Sequence, residues 1–326
     1  MTALARILPD RFTTALVVVV LLATAVPAHG AFADVWHDAT AVAIALLFFL
    51  HGARLSRQAV MAGMLHWRLH LTVIAFTFVV FPLLGVLSAQ LPEAVLPSGL
   101  ALGVIYLCCL PSTVQSSIAF TSIAGGNVAA AVCSASASSL FGVVVTPLLV
   151  SLLMQAQGDA VTLDQIQAIV TQILLPFVVG QLVHPWVGAW ALRNKTVLSA
   201  FDRGSILMVV YGAFSEAVIN GLWHRLTPLA TLSLVVVCCA ILATLLVSTT
   251  LVARRLGFDR ADEITIVFCG SKKSLAAGVP MANILFPAAG VGMIVLPLMV
   301  FHQIQLMVCA VLARRYAARA EALEQA

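Results

Sequence analysis

Apolar runs of about 20 residues, the length that crosses ~30 Å of hydrocarbon as a helix, follow one another along nearly the whole chain. They leave no stretch long enough for a soluble domain. With 62% hydrophobic and only 9% charged residues, the chain reads as an integral membrane protein. No segment shows the strict apolar/polar alternation of a membrane β-barrel. Breaks at charges, Pro and Gly place helices at about 12–29, 36–53, 69–89, 95–123, 128–155, 165–186, 204–221, 227–252, 262–286 and 289–313. The expected fold is therefore an all-α polytopic membrane protein with ten transmembrane helices.

The distribution of basic residues orients these spans. If the N-terminus is cytoplasmic, Arg6, Arg11, Arg54, Arg57, Arg68, Lys195, Arg203, Arg254, Arg255 and their neighbours fall inside, and only Arg225 falls outside. Lys272 and Lys273 lie within a span. Both termini are then cytoplasmic, in a multi-pass protein of the plasma (inner) membrane. Arg6, Arg11, the run Ala15–Val26 and "PAHGAFA" also fit a cleavable signal peptide. Cleavage would leave nine spans and spoil the charge pattern, so the segment is expected to persist as the first span.

Ten spans divide into five plus five near residue 158, giving units 1–158 and 159–326. An odd number of spans per half makes the halves face opposite ways, the arrangement of two inverted five-helix repeats. The fourth and ninth spans carry polar interruptions at matching places, Pro111 in the first half and Gly270 in the second. Interrupted helices in corresponding positions point to a transporter's binding site.

In "CCLPSTVQSSIAF" the break at Pro111 is followed by Ser112, Thr113, Gln115, Ser116 and Ser117. A helix broken there frees backbone groups that only protein or a water-filled cavity can satisfy. The alternative is a proline kink whose hydroxyls bond back to their own helix. In "VFCGSKKSLAAG", Lys272 and Lys273 stand between Ser271 and Ser274, close to the middle of the ninth span. A lysine at that depth costs about 2.5–3.5 kcal/mol on the insertion scale, which makes it a functional candidate. Adjacent residues point about 100° apart on a helix, so one lysine is expected to face a cavity and the other to pair within the bundle. Glu216 is read as the only acid inside a span, a proton carrier or counter-ion unless it meets water at the helix end. Asn127 opens the fifth span, Ser134 and Ser138 share one face by their spacing, and His302, Gln303 and Gln305 fall in the tenth. Of these, Asn127, Ser134 and Gln303 join the candidate site. The seven cysteines form no CxxC or Cys/His cluster and read as small apolar packers.

The segments "CLPSTVQSSIAFTSIAGGNVAAAVCSASASSLFGVVVTPLL" and "FCGSKKSLAAGVPMANILF", in this order and separation, resemble the bile acid:sodium symporter superfamily, closest to its bacterial SBF-like branch and the related vertebrate member of the solute carrier ten family. The resemblance implies a core domain of spans 3–5 and 8–10 beside a panel of spans 1, 2, 6 and 7. It also implies that the discontinuous helices 4 and 9 cross near the midplane. In the sodium-coupled members, polar residues at the fourth-helix crossover, hydroxyls in the fifth helix and a glutamate in the ninth hold sodium. Here Gln115, Ser116 and Ser117 match the crossover, but Ala131 and Ala135 replace the hydroxyls and Val267 stands at the glutamate. That departure puts sodium coupling in doubt. It suggests that a lysine ammonium acts as a tethered cation in the same region.

The expected function is secondary transport of a small organic anion by alternating access, with Na+ or H+ as the only coupling ion to consider and no cofactor. A proton-coupled or uncoupled carrier, or a non-transporting regulatory membrane protein, is the alternative. An intramembrane enzyme is disfavoured because HExxH, GxSxG and paired-aspartate sites do not occur. The lipid bilayer is the expected surrounding, no nucleic acid is expected, and the sequence does not set an oligomeric state.

Overall fold

A computed structural model describes residues 11–54, 66–155, 170–221 and 226–324, together with Gln167. The division near residue 158 and the loops at Arg57, Asp159 and Arg225 lie outside the described residues. The regular structure of the described residues is all helix, with no strand among them. In chain order the helices are α1 (Arg11–Ala25), α2 (Ala31–Arg54), α3 (Trp67–Ser88), α4 (Ser98–Cys109), α5 (Val114–Ile123), α6 (Val128–Gln155), α7 (Leu175–Arg193), α8 (Lys195–Ile219), α9 (Pro228–Arg255), α10 (Arg260–Gly270), α11 (Leu275–Leu285) and α12 (Ala288–Glu324).

Seven of these, α2, α3, α6, α7, α8, α9 and α12, are long and apolar enough to cross a membrane by themselves. The α4–α5 pair makes an eighth span if it is counted as one, bent by 64° at its break. The chain is a multi-pass membrane protein. Several helices run further than hydropathy alone suggested. α8 begins at Lys195 rather than near 204, and α12 continues to Glu324. Hydropathy trims a helix where charge begins, whereas the backbone stays helical as long as its i→i−4 bonds persist. Asp202 is thereby buried within a helix, and Asp262 and Glu263, already inside the expected 262–286 span, are buried in α10, so Glu216 is not the only such acid.

Small residues set the closest approaches, as expected where packing rather than the hydrophobic effect brings helices together. A Cβ on Gly52 of α2 would overlap the Phe177 carbonyl of α7, and one on Gly180 would overlap the Phe49 carbonyl of α2. The end of α2 leaves carbonyls without helical donors. Two are met from α7: Gln181 Nε2 donates to Gly52 O (2.8 Å) and His184 Nδ1 donates to Ala53 O (2.7 Å). Helix α1 lies along α8, while α12 packs against α4, α8, α9 and α11.

The helix starts follow local chemistry. α10 opens on Asp259, whose carboxylate accepts from the Asp262 amide (2.8 Å), and it carries Asp262 and Glu263 in its first turn, where the dipole favours negative charge. α11 opens on Ser274, whose hydroxyl accepts from the Ala277 amide (3.2 Å). Gly125, at φ +73°, supplies the left-handed turn that carries the chain from α5 toward α6.

Candidate functional site

The two sequence interruptions become two helix breaks that face each other. α4 stops at Cys109 and α5 resumes at Val114; α10 stops at Gly270 and α11 resumes at Leu275. A break releases backbone groups that must find partners when buried. Here each break supplies what the other lacks. The Ser112 hydroxyl donates to Cys269 O (2.6 Å), Ser117 to Phe268 O (3.0 Å) and Thr113 to Lys273 O (2.8 Å). In return the Ser274 amide donates to Pro111 O (2.9 Å). Ser271 bonds back to Val267 O of its own helix (2.6 Å).

Helix α6 braces the first break with one stripe of small residues at fourfold spacing. The Ser138 hydroxyl accepts from the Ser112 amide (2.9 Å), Gly142 lets the Pro111 ring lie against the helix, and Thr146 donates to Cys109 O (2.9 Å). Ser134, one turn earlier on the same stripe, hydrogen-bonds His70 Nδ1 of α3 (2.7 Å). Asn127 ties the start of α6 to α10: its amide nitrogen donates to Asp262 (2.9 Å), and its side-chain oxygen accepts from the Ala130 amide (3.0 Å).

Both lysines are fully buried, and neither has a carboxylate within ion-pair distance among the described residues. Lys273 Nζ donates to three backbone carbonyls, Thr77 O (2.7 Å), Cys108 O (2.7 Å) and Leu110 O (2.5 Å), and lies 4.0 Å from the Phe81 ring centroid. Two of these carbonyls belong to the open C-terminal end of α4, where a cation is favoured. The third is orphaned by a π-helical turn, Phe76–Val80, in which the Phe81 amide bonds to Phe76 O instead of Thr77 O. The next candidate donor, Pro82, has no N–H. Lys272 Nζ donates to Ser116 O (2.9 Å) and sits 3.9 Å from the Phe120 ring centroid, a cation–π contact.

Gln305 of α12 completes the second break. Its amide pairs with both backbone groups of Lys273, accepting from the N–H (3.0 Å) and donating to the carbonyl (2.9 Å). It also donates to His302 Nδ1 (2.9 Å). The sequence reading carried forward Gln303, which lies two positions round the helix, is half-buried and does not line the cavity. The three-residue spacing of His302 and Gln305 on one helix face was the available signal.

Beside the breaks lies a cavity of about 560 Å³, within the ~300–1,000 Å³ usual for small-molecule sites. One wall comes from α1, α2, α7 and α8; the other from the α4–α5 break, α5, α6, α11 and α12. The contributing helices each present one stripe: His51 and Arg54 on α2, Asp202 and Arg203 on α8, and Ser136, Ser139, Leu140 and Val143 on α6. Of the expected site residues, Thr113, Gln115, Ser116 and Ser274 line it. Neither lysine does, which corrects the expectation that one would face the cavity. Orphaned carbonyls of α3 and of the α4 end draw the Lys273 ammonium into the protein, and the Ser116 carbonyl with the Phe120 ring holds that of Lys272. Ser112, Ser117, Ser134, Asn127 and Ser271 also stay out of the lining, held by the bonds above. Glu216 stands in the last turn of α8, away from the cavity, with Asn220 donating to it (3.2 Å).

The sequence reading had placed two of the cavity's charges, Arg54 and Arg203, among the cytoplasmic basic residues and had not singled out Asp202. Arg54 and Asp202 form a two-point ion pair between α2 and α8, at 2.6 and 3.2 Å. Arg203 is exposed in the cavity, with its guanidinium carbon 5.8 Å from the Phe12 ring centroid.

Paired helix breaks beside a cavity are a transporter's architecture, and comparison with known proteins agrees. The chain belongs to the SBF-like CPA transporter family. The match runs over residues 10–318. The chain is 63% identical to protein PA2026 of Pseudomonas aeruginosa over 96% of its own length and 95% of that protein's. It is 59% identical to the Escherichia coli protein named "Putative symporter YfeH", over 97% and 95% respectively. With the sodium/bile acid cotransporter 7 of Xenopus tropicalis it shares 31% identity over 84% of this chain and 80% of the relative. This is therefore a transporter of the bile acid:sodium symporter type.

Proposed function

We propose that the chain is a secondary transporter that moves an organic anion across the inner membrane by alternating access, without drawing on a sodium gradient. The cavity carries this reading. It is large enough for a drug-sized molecule, its walls are mostly apolar, its cationic arginines stand on one wall, and the hydroxyl and amide groups of the break residues stand on the other. A substrate bound there would touch both walls, and a relative movement of the two helix sets would carry it across. Counting α1 and the α10–α11 pair as spans brings the number to ten. That count fits two inverted five-helix repeats, a core of α3–α6 with α9–α12, and a panel of α1, α2, α7 and α8, with both termini cytoplasmic.

Sodium independence rests on Lys273. Its ammonium already has three carbonyl oxygens around it, a role that a hard monovalent cation would otherwise fill, and a second cation nearby would be repelled. The carboxylates closest in sequence to Val267 are committed elsewhere: Asp262 to Asn127, and Glu263 to Arg254 at 2.9 and 3.0 Å.

Uptake of a panel of amphipathic carboxylates and sulfonates into proteoliposomes, with sodium and proton gradients set independently, tests this reading. Uptake unchanged when choline replaces sodium is the expected result. A saturable sodium requirement would defeat the tethered-cation account. Absence of flux under every gradient would favour a regulatory membrane protein instead.

A further inference from the structure

The cavity's charge pattern points to more than anion binding in general. We infer that Arg203 is the docking group for the substrate's anionic end, and that the Arg54–Asp202 pair limits the site to monoanions. This rests on the reading of the cavity as the transport site.

Among the described residues three side chains of fixed charge line the cavity, Arg54, Asp202 and Arg203. Two neutralise each other. Both terminal nitrogens of Arg54 donate to Asp202, and the Asp202 side chain is only 11% exposed, so the pair is a buried two-point bridge rather than a loose surface contact. Arg203 has no carboxylate within ion-pair distance among the described residues. Among the described residues the Phe12 ring lies beside the guanidinium and holds it without neutralising it. Among the described residues the cavity therefore offers one uncompensated positive charge. His51 and His302 also line it.

One free cation selects by charge as well as by sign. A monoanion sets its negative group on Arg203 and lays its apolar body along Phe48, Leu140, Val143, Phe177 and Met281. A dianion brings a second negative charge into the same enclosure. It can be met only by separating Arg54 from Asp202, which strands a carboxylate next to the ligand's own charge. Asp202 thus acts as an internal anion that fills the second position in advance. The ligand class is an amphipathic monoanion, carboxylate or sulfonate, with the Arg54–Asp202 pair as its specificity filter.

The probes are naphthalene-2-sulfonate and naphthalene-2,6-disulfonate, one ring body with one or two charges, titrated calorimetrically at pH 8 into the full chain in nanodiscs, with empty nanodiscs subtracted. The wild type should bind the monosulfonate at least about tenfold more tightly than the disulfonate, a difference of ~1.4 kcal/mol. Arg203→Gln should weaken monosulfonate binding about tenfold or more, and Arg203→Lys should restore most of it. Asp202→Asn, which frees Arg54, should shift the ratio toward the disulfonate by a similar factor. Because Asp202 also joins α2 to α8, that variant can fail to fold. Ser199→Arg adds a second cation to the same stripe with the pair intact and should give the same shift. Equal monosulfonate affinity in wild type and Arg203→Gln, no monosulfonate binding by the wild type up to about a millimolar, an affinity of ~4 kcal/mol, or an unshifted ratio in Ser199→Arg would overturn the proposal. Vesicle uptake separates it from the transport reading. Flux with wild-type KM in Arg203→Gln removes the subsite alone, whereas wild-type binding without any flux removes transport alone.

Discussion

The Lys273 ammonium donates to the Thr77 carbonyl at 2.7 Å, joining the break between α10 and α11 to a π-helical turn in α3. That turn leaves Thr77 O without a backbone donor, and Pro82 cannot supply one. Removing the ammonium would strand Thr77 O together with Cys108 O and Leu110 O, all in a buried region. Each buried carbonyl left unsatisfied costs about 1–3 kcal/mol, and the three share one donor, so the total is less than their sum. Lys273→Met should therefore melt well below wild type in detergent, as followed by intrinsic fluorescence. An unchanged midpoint would show that the three carbonyls find other donors.

Lys272 holds less. It donates to one carbonyl, Ser116 O, and rests on the Phe120 ring. Lys272→Met should lower the melting midpoint by less than Lys273→Met. Phe120→Leu should cost about 0.5–2 kcal/mol through the lost cation–π contact, besides any repacking. A reversed order between the two lysine variants would contradict the partner assignment.

The breaks themselves were legible in the sequence, because Pro111 and Gly270 interrupt apolar runs at matching positions and polar residues follow at once. What the lysines do there was not. Their partners are backbone carbonyls of α3, the α4 end and α5, which have the same chemistry at every position and leave no mark on the sequence until the fold brings them together. The serine stripe of α6 was readable from spacing, yet Ser134 and Ser138 face the break and His70, while Ser136 and Ser139 face the cavity; spacing names a face without saying what it meets. Arg54 and Arg203 were placed among the loop and helix-end charges, and Asp202 was not singled out, because hydropathy stops at the first charge. Their stripe positions became visible only once α2 was known to reach Arg54 and α8 to run through Asp202 and Arg203.

The proposed orientation predicts which loops meet the outside. Single cysteines near Asp34 and Glu93 should react with a membrane-impermeant maleimide applied to intact cells, and cysteines near Arg255 should react only after permeabilisation. Strong external labelling near Arg255, at the end of α9, would overturn the inside placement of the basic residues.

Glu216 lies in the last turn of α8 and outside the cavity lining, with Asn220 as its side-chain partner. A carboxylate there has no path to the substrate through the described cavity. Glu216→Gln should leave the uptake rate and its pH profile at wild-type values in proteoliposomes. A displaced pH profile would restore it as a proton-exchanging group.

Gly142 tests whether the fit of α6 against the first break governs the site. A Cβ on Gly142 would sit 2.6 Å from Pro111 Cβ and 2.7 Å from its Cγ, too close for either to remain in place. Pro111 cannot rotate away, because its ring fixes φ. The strain therefore passes to the neighbouring bonds, Ser138 with the Ser112 amide and Thr146 with Cys109 O. Gly142→Ala should cost about 1–3 kcal/mol by overpacking, despite the better helix propensity of alanine. It should also slow transport by displacing Thr113 and Gln115 in the cavity lining. Gly204→Ala is the matched control. It lies in α8, a Cβ there meets nothing within 4 Å, and replacing a helical glycine should leave stability unchanged or raise it by up to ~1 kcal/mol. Equal melting of the two variants would show that the Pro111 contact yields without consequence.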